Sequence, residues 1–125
     1  MTSSALSQFA NEQYLNLETY RKNGAPVLTP VWFAEENGVF YIYSLAEAGK
    51  VKRIRNNTRV RVAPCDMRGK LKGDWVEGRA RILDAGEAAH AHELLDKKYG
   101  LMKKIGGLFS KLMRRDRAAI AIEFI

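Results

Sequence analysis

The period of apolar and polar positions changes several times along the chain, and each change marks a predicted element. In "SSALSQFANEQ", Leu6, Phe9 and Ala10 fall on one face at helical spacing and Ser3 or Ser4 can cap them, so a short helix is expected. In "YLNLETYRK" the period drops to two: Leu15, Leu17 and Thr19 alternate with Asn16, Glu18 and Tyr20, the pattern of a strand buried on one face. Asn23-Gly24 follows, a dipeptide suited to the positive φ angles of a type I′ hairpin turn. The next strand, "APVLTPVWFA", carries two prolines that cannot donate ladder hydrogen bonds, which places it at an edge, a bulge or a ligand-facing rim. Glu36-Asn37-Gly38 makes a second turn and "VFYIYSL" a third strand.

Over Glu47 to Asn56 the pattern becomes helical but thin, with Val51 and Ile54 as its apolar positions and Lys50, Lys52, Arg53 and Arg55 around them. "TRVRVAPC" returns to alternation, with Val60 and Val62 inward and Arg59 and Arg61 outward; the polar turn "DMRGKLKGD" leads to a further strand, "WVEGRARIL". Asp84 and Glu87 have capping-box spacing, so a helix starts there, and Gly100 is a suitable stop. A second helical stripe runs from Leu101 to Met113, weakened by Gly106-Gly107, and "AAIAIEFI" is a last strand. Six strands joined largely by hairpins predict a mainly β fold, a small antiparallel barrel with helices over its openings.

Composition narrows this picture. A chain of 125 residues is read as one domain, residues 1–125, and no window approaches the ~18 apolar residues of a membrane span. The N-terminus lacks the basic and apolar regions of a secretory signal, and the single cysteine fits a reducing compartment, so a cytoplasmic location is expected. The net charge of +7 favours anionic partners, and six of the twelve residues from Lys50 to Arg61 are basic with none acidic.

Most chemistry-bearing motifs are missing. His90 and His92, at i and i+2 on a helix, point roughly 200° apart and cannot share a metal, so they read as exposed polar residues and no metal site is expected. "AEAGKVK" lacks the first glycine and the hydroxyl of a phosphate loop. Cys65 has no histidine placed to activate it and reads as a small buried residue. What remains is a helix opening near Lys50, whose free N–H groups and lysine make a phosphate site, preceded by strands bearing Trp32, Phe33, Phe40, Tyr41 and Tyr43. One ligand with a ring at one end and a phosphate at the other would use both. The plainer alternative is a solvated basic face and ordinary core aromatics.

"YLNLETYRKNGAPVLTPVWF", "GVFYIYS", "GKVKRIRNNTRVRVAPCD" and "GDWVEGRARIL", in that order, resemble the split β-barrel flavin and deazaflavin proteins related to pyridoxamine 5′-phosphate oxidase, above all the F420-dependent reductase branch. The resemblance spans about residues 14 to 100, and Thr58 stands where the family commonly has proline. It implies a six-stranded antiparallel split barrel that binds FMN or F420. Thr29, Pro30, Val31 and Trp32 would run along the ring system, Ser44 and Lys50 would hold the phosphate with Arg53 nearby, and Ala63, Pro64 and Cys65 would lie beside the ring. It further implies a homodimer with the cofactor at the interface, where Trp75 and the helical tail complete the partner's pocket.

The activity so implied is hydride transfer between the ring and a small organic substrate, in which the cofactor supplies the chemistry and no catalytic side chain is singled out. A C-terminal arginine motif of the true pyridoxamine phosphate oxidases is missing from "AIAIEFI", which argues against that particular activity. The competing expectations are a non-catalytic basic barrel that binds nucleic acid and a flavin or haem carrier of the same fold. Nucleic acid is the less favoured partner, and no membrane is expected.

Overall fold

The computed structural model describes residues 5–45, 48–105 and 117–124. A 3-10 turn at Ser7–Phe9 precedes β1 (Tyr14–Tyr20), β2 (Pro26–Trp32), β3 (Ala34–Glu36), β4 (Val39–Leu45), helix α1 (Gly49–Asn56), β5 (Arg59–Cys65), β6 (Val76–Ile82), helix α2 (Ala85–Ile105) and β7 (Arg117–Phe124). The strands form one antiparallel sheet in the order β2-β1-β5-β6-β7-β4-β3. It is a mainly β fold with two helices, a curled sheet of the split-barrel kind.

There are seven strands rather than the expected six, because the proline-bearing strand changes partner midway. Its first half pairs with β1, Trp32 opposite Tyr14, and its second half pairs with β4, Ala34 opposite Tyr41. Phe33 lies between the two ladders. A single bent strand at both ends of the sheet order brings the sheet round upon itself.

Inside lie Leu15, Leu17, Phe40, Ile42, Val60, Val62, Ile120 and Ile122, inward residues of four strands. Phe9 fills one opening, edge-on to Phe33 and Phe40 at 5.9 and 4.9 Å between ring centroids. Val51 and Ile54, the two apolar positions of α1, join the same core from that helix, which packs against β1, β4 and β6. Outside, α2 lies across β4 and β7, with Ala91 against Ala119 and Ala121. The alternation of "AAIAI" thus fills the barrel with isoleucines and leaves alanines small enough for a helix to come close.

Local turn chemistry departs from expectation in an instructive way. Asn37 and Gly38 both have positive φ, at 52° and 79°, as a type I′ turn requires. At the Asn23-Gly24 turn only Gly24 does; its N–H reaches Arg21 O at 2.8 Å, and Asn23 Oδ1 accepts from Ala25 N–H. The longer loop there is stabilised by the asparagine side chain, so I′ geometry is not needed. Asp84 and Glu87 form the expected capping box, with Glu87 N–H donating to Asp84 Oδ1 at 2.8 Å. Helix α2 does not stop at Gly100 but continues to Ile105. A glycine costs about 1 kcal/mol in a helix, and the helix-forming residues on both sides outweigh it. The stripe expected over 106–113 lies outside the described residues.

β1 is buried on both faces rather than one. Asn16 and Glu18 are 4% and 5% exposed. Arg61 covers Glu18 through two bonds of 2.7 and 2.9 Å, Tyr20 Oη adds a third of 2.5 Å, and the Arg61 guanidinium lies 4.9 Å over the Trp75 ring. The Arg61 guanidinium, with help from the Tyr20 hydroxyl, holds the Glu18 carboxyl below its ordinary range despite burial.

Gly78 of β6 is a point where packing demands glycine, since an added Cβ would sit 2.9 Å from the Glu123 carbonyl oxygen and 3.0 Å from Ile122 Cγ2. Gly78→Ala is therefore expected to cost about 1–3 kcal/mol, read as a lowered urea midpoint with an unchanged m-value.

Candidate functional site

β2 is apolar in sequence, yet none of its residues is fully buried. It has one hydrogen-bonded neighbour, β1; on its other side it passes β4 without forming a ladder. That gap is where the barrel is split. Thr29 and Val31 stand opposite Leu17 and Leu15 and share their inward face. Pro30 and Trp32 stand opposite Asn16 and Tyr14 and face outward.

β5 flanks β1 on its far side, with Ala63 opposite Asn16 and Cys65 opposite Tyr14. Pro30, Asn16 and Ala63 therefore form one row across three strands, and Trp32, Tyr14 and Cys65 the next. Pro64 faces the other way and is covered by the segment around Gly73. Trp75 lies one row from Asn16, beside Arg61 and Glu18. Asn16 Nδ2 donates to Gly69 O at 3.1 Å, whereas its buried Oδ1 has no partner among the described residues. An acceptor so placed costs about 1–3 kcal/mol until a donor reaches it. Cys65 is buried as expected, and burial, reinforced by Asp66, pushes its thiol up to about 11, which leaves it inert.

The second group of sequence candidates sits at the α1 end of the barrel. No side chain caps α1, whose preceding residue is Ala48. Lys50 occupies its first turn, where a cation opposes the positive end of the helix dipole. Arg53 folds back over that turn, close enough that a Cβ on Gly49 would meet its guanidinium at 2.7 Å, and its Nε donates to Thr19 Oγ1 at 2.7 Å. Burial, and then the nearby Arg53 charge, lower the Lys50 pKa; burial and Arg21 lower that of Arg53. Ser44 is buried at the end of β4 and donates to Leu45 O at 3.1 Å.

The strand arginines Arg59, Arg61 and Arg81 are neutralised. Arg59 pairs with Glu77, Arg61 with Glu18, and Arg81 with Glu87 and Glu123. Lys50 and Arg53 have no carboxylate within ion-pair distance among the described residues. Arg53 thus lies near both Lys50 and Arg21, no carboxylate among the described residues pairs with any of the three, and the energetic demand at this place is for an anion.

Sequence spacing did not reveal Thr19, Arg21, Lys98 or Tyr99. Tyr99 accepts from Phe33 N–H at 3.1 Å, and Lys98 Nζ donates to Phe33 O at 2.7 Å, contacts across 66 and 65 residues that no local pattern announces. Of the histidines, His90 is exposed as expected and His92 is not. His92 is half-buried and hydrogen-bonds Tyr43 Oη through Nδ1, while His90 Nε2 meets Glu36 Oε1 at 2.5 Å. Among the described residues no group of three or more histidines, cysteines and carboxylates is placed to hold a metal ion. None of their helices is long and apolar enough to cross a membrane.

A curled antiparallel sheet, open between two of its strands and closed at one end by a cationic helix, defines the split-barrel class. The chain belongs to the pyridoxamine 5′-phosphate oxidase family, which it matches over residues 1–124. No protein of curated function matches it significantly. Three similar solved structures span the class. The heme storage protein of Vibrio cholerae has a TM-score of 0.73 at 11% identity, covering 98% of this chain and 89% of that one. A FAD-binding protein of Mesorhizobium loti gives 0.66 at 17%, covering 99% and 87%. An F420 reductase gives 0.61 at 20%, covering 94% and 90%. At these identities the likeness is one of fold.

An uncompensated lysine should be a burden to the ligand-free protein. Lys50→Met is expected to raise its stability by about 0.5–2 kcal/mol in urea unfolding near neutral pH. The unfolded chain keeps the lysine proton up to about its ordinary value of 10.5, above the folded-state pKa. Wild-type stability therefore gains as pH climbs through the folded-state pKa towards that value, and the difference from Lys50→Met should shrink over the same window.

Proposed function

We propose that this chain is an oxidoreductase that transfers a hydride between a bound FMN or F420 and a small organic substrate. The observation that carries the reading is the cluster of Arg21, Lys50 and Arg53 at a helix start that, among the described residues, has no side-chain cap and no carboxylate paired with it. A phosphate group there would meet helix N–H groups and three cations at once. Family membership supports it, as does the shared fold with an F420 reductase.

The residues present fit such a ligand at both ends. Lys50 and Arg53, with Ser44 behind them, would hold the phosphate. Thr29 to Trp32, on a strand with one edge unladdered, and Ala63 to Cys65 beyond β1 would flank a flat ring. The orphaned Asn16 Oδ1 in the row between Pro30 and Ala63 is an acceptor suited to a ring N–H. The bound coenzyme supplies hydride chemistry, and the protein contributes placement, exclusion of water and fixed positive charge. Lys52 and Arg55 on the same helix, with no ion pair among the described residues, would suit a ligand with further negative charge, which favours F420, with its longer acidic tail, over FMN.

The assembly proposed is a homodimer with the coenzyme at the interface, Trp75 completing the partner's pocket. Leu28, Met67 and Leu71, exposed at 52%, 66% and 44%, are the apolar surface such a contact would cover. A nucleic-acid reading is weaker, because the strand arginines that would meet a backbone are already paired with Glu18, Glu77, Glu87 and Glu123.

Titration of the purified protein with FMN and with F420, followed by fluorescence, tests the reading. At least one should bind at micromolar concentration, and Lys50→Ala should weaken it tenfold or more. Binding of neither coenzyme, or an unchanged affinity in Lys50→Ala, would defeat the assignment.

A further inference from the structure

The aromatic residues around the strand break form an arrangement that neither the family nor the motif pattern accounts for. Trp32, the last residue of β2, lies flat against Tyr99 of α2, with centroids 4.4 Å apart and planes at 2°. Tyr99 is 1% exposed, whereas Trp32 is half-exposed. The Tyr99 hydroxyl is held by the backbone, accepting from Phe33 N–H at 3.1 Å, with Phe33 O at 2.8 Å and Gln13 O at 2.7 Å as acceptors for its proton. Lys98 Nζ donates to the same Phe33 carbonyl and lies 3.6 Å from the centre of the Phe33 ring. The Tyr14 ring lies on another side of the indole, 6.5 Å away between centroids and tilted by 59°. The buried Tyr99 ring, itself locked by hydrogen bonds, fixes the indole plane.

We infer that Tyr99 is a positioning residue for the ring pocket, setting the plane of Trp32 by stacking and thereby the shape of the wall that a flat heteroaromatic ring meets at the end of β2. The inference rests on the reading that β2 lines a coenzyme ring. It predicts that Tyr99 tunes ring binding alone. Ligand discrimination would then be divided by place, with phosphate affinity set at α1 and ring affinity set from α2 through Trp32.

Four proteins decide it: wild type, Tyr99→Phe, Tyr99→Leu and Trp32→Leu. The ring-bearing probes are FMN and F420, and the ring-free probe is inorganic phosphate. Tyr99→Phe keeps the stacked ring and should hold coenzyme affinity within about threefold. Tyr99→Leu and Trp32→Leu should each weaken the coenzyme about tenfold or more, shift the visible absorption bands of the bound ring, and leave phosphate affinity within twofold. Their double variant should lose little beyond either single one, because both act through one wall. Trp32→Leu leaves every Tyr99 hydrogen bond in place, so it reports even if Tyr99→Leu does not fold. The inference is overturned if wild type binds a coenzyme and Trp32→Leu binds it equally well, or if either leucine variant loses phosphate and coenzyme alike. If wild type binds phosphate but neither coenzyme, the proposed function falls and this inference with it.

Discussion

The fold turns on how the backbone of one residue, Phe33, is satisfied. At Phe33 the chain leaves the ladder with β1 and has not yet joined the ladder with β4. A buried backbone N–H and C=O left unpaired at such a point would each cost about 1–3 kcal/mol. Tyr99 and Lys98 take both groups, from a helix 65 residues further along the chain. The strand can therefore bend, the sheet can curl, and β2 is left with one edge open. Without that local satisfaction the bend would be disfavoured, and the split that makes a groove out of a closed barrel would be lost.

Charge is organised around the same geometry. Two of the four arginines of the basic run, Arg59 and Arg61, sit on outward strand positions, where cross-strand neighbours supply carboxylates: Glu18 opposite Arg61 on one side and Glu77 on the other. Helix α1 has no such neighbours. Lys50 and Arg53 sit at its start in partial burial, with Arg53 donating to Thr19 Oγ1.

Much of the architecture was legible in the alternation of residues. Strand positions followed from period-two patterns because one face of each strand meets a dry core, and the α2 start followed from a capping box whose bonds are local. Other features escaped for one reason: they depend on what another element brings. Glu18 looks like a solvent-facing residue until Arg61 and Tyr20 close over it. His92 reads as exposed until Tyr43 lies beneath it. Gly100 looks like a helix stop, yet a stop signal yields to continued hydrogen bonding. Seven strands replaced six because no period records a change of partner.

The candidate site divides along the same line. By itself the amino-acid sequence determined the residue types: a lysine-led helix, a proline-interrupted strand ending in tryptophan, and a motif order shared with one family. Those are local or linear properties, legible without coordinates. Only the tertiary structure decided that Thr29 and Val31 face inward while Pro30 and Trp32 face outward, that Arg21 and Thr19 join Lys50 and Arg53, and that Tyr99 fixes Trp32. Convergence of side chains from distant segments is set by the packing of the whole sheet, and a one-dimensional pattern carries no term for it.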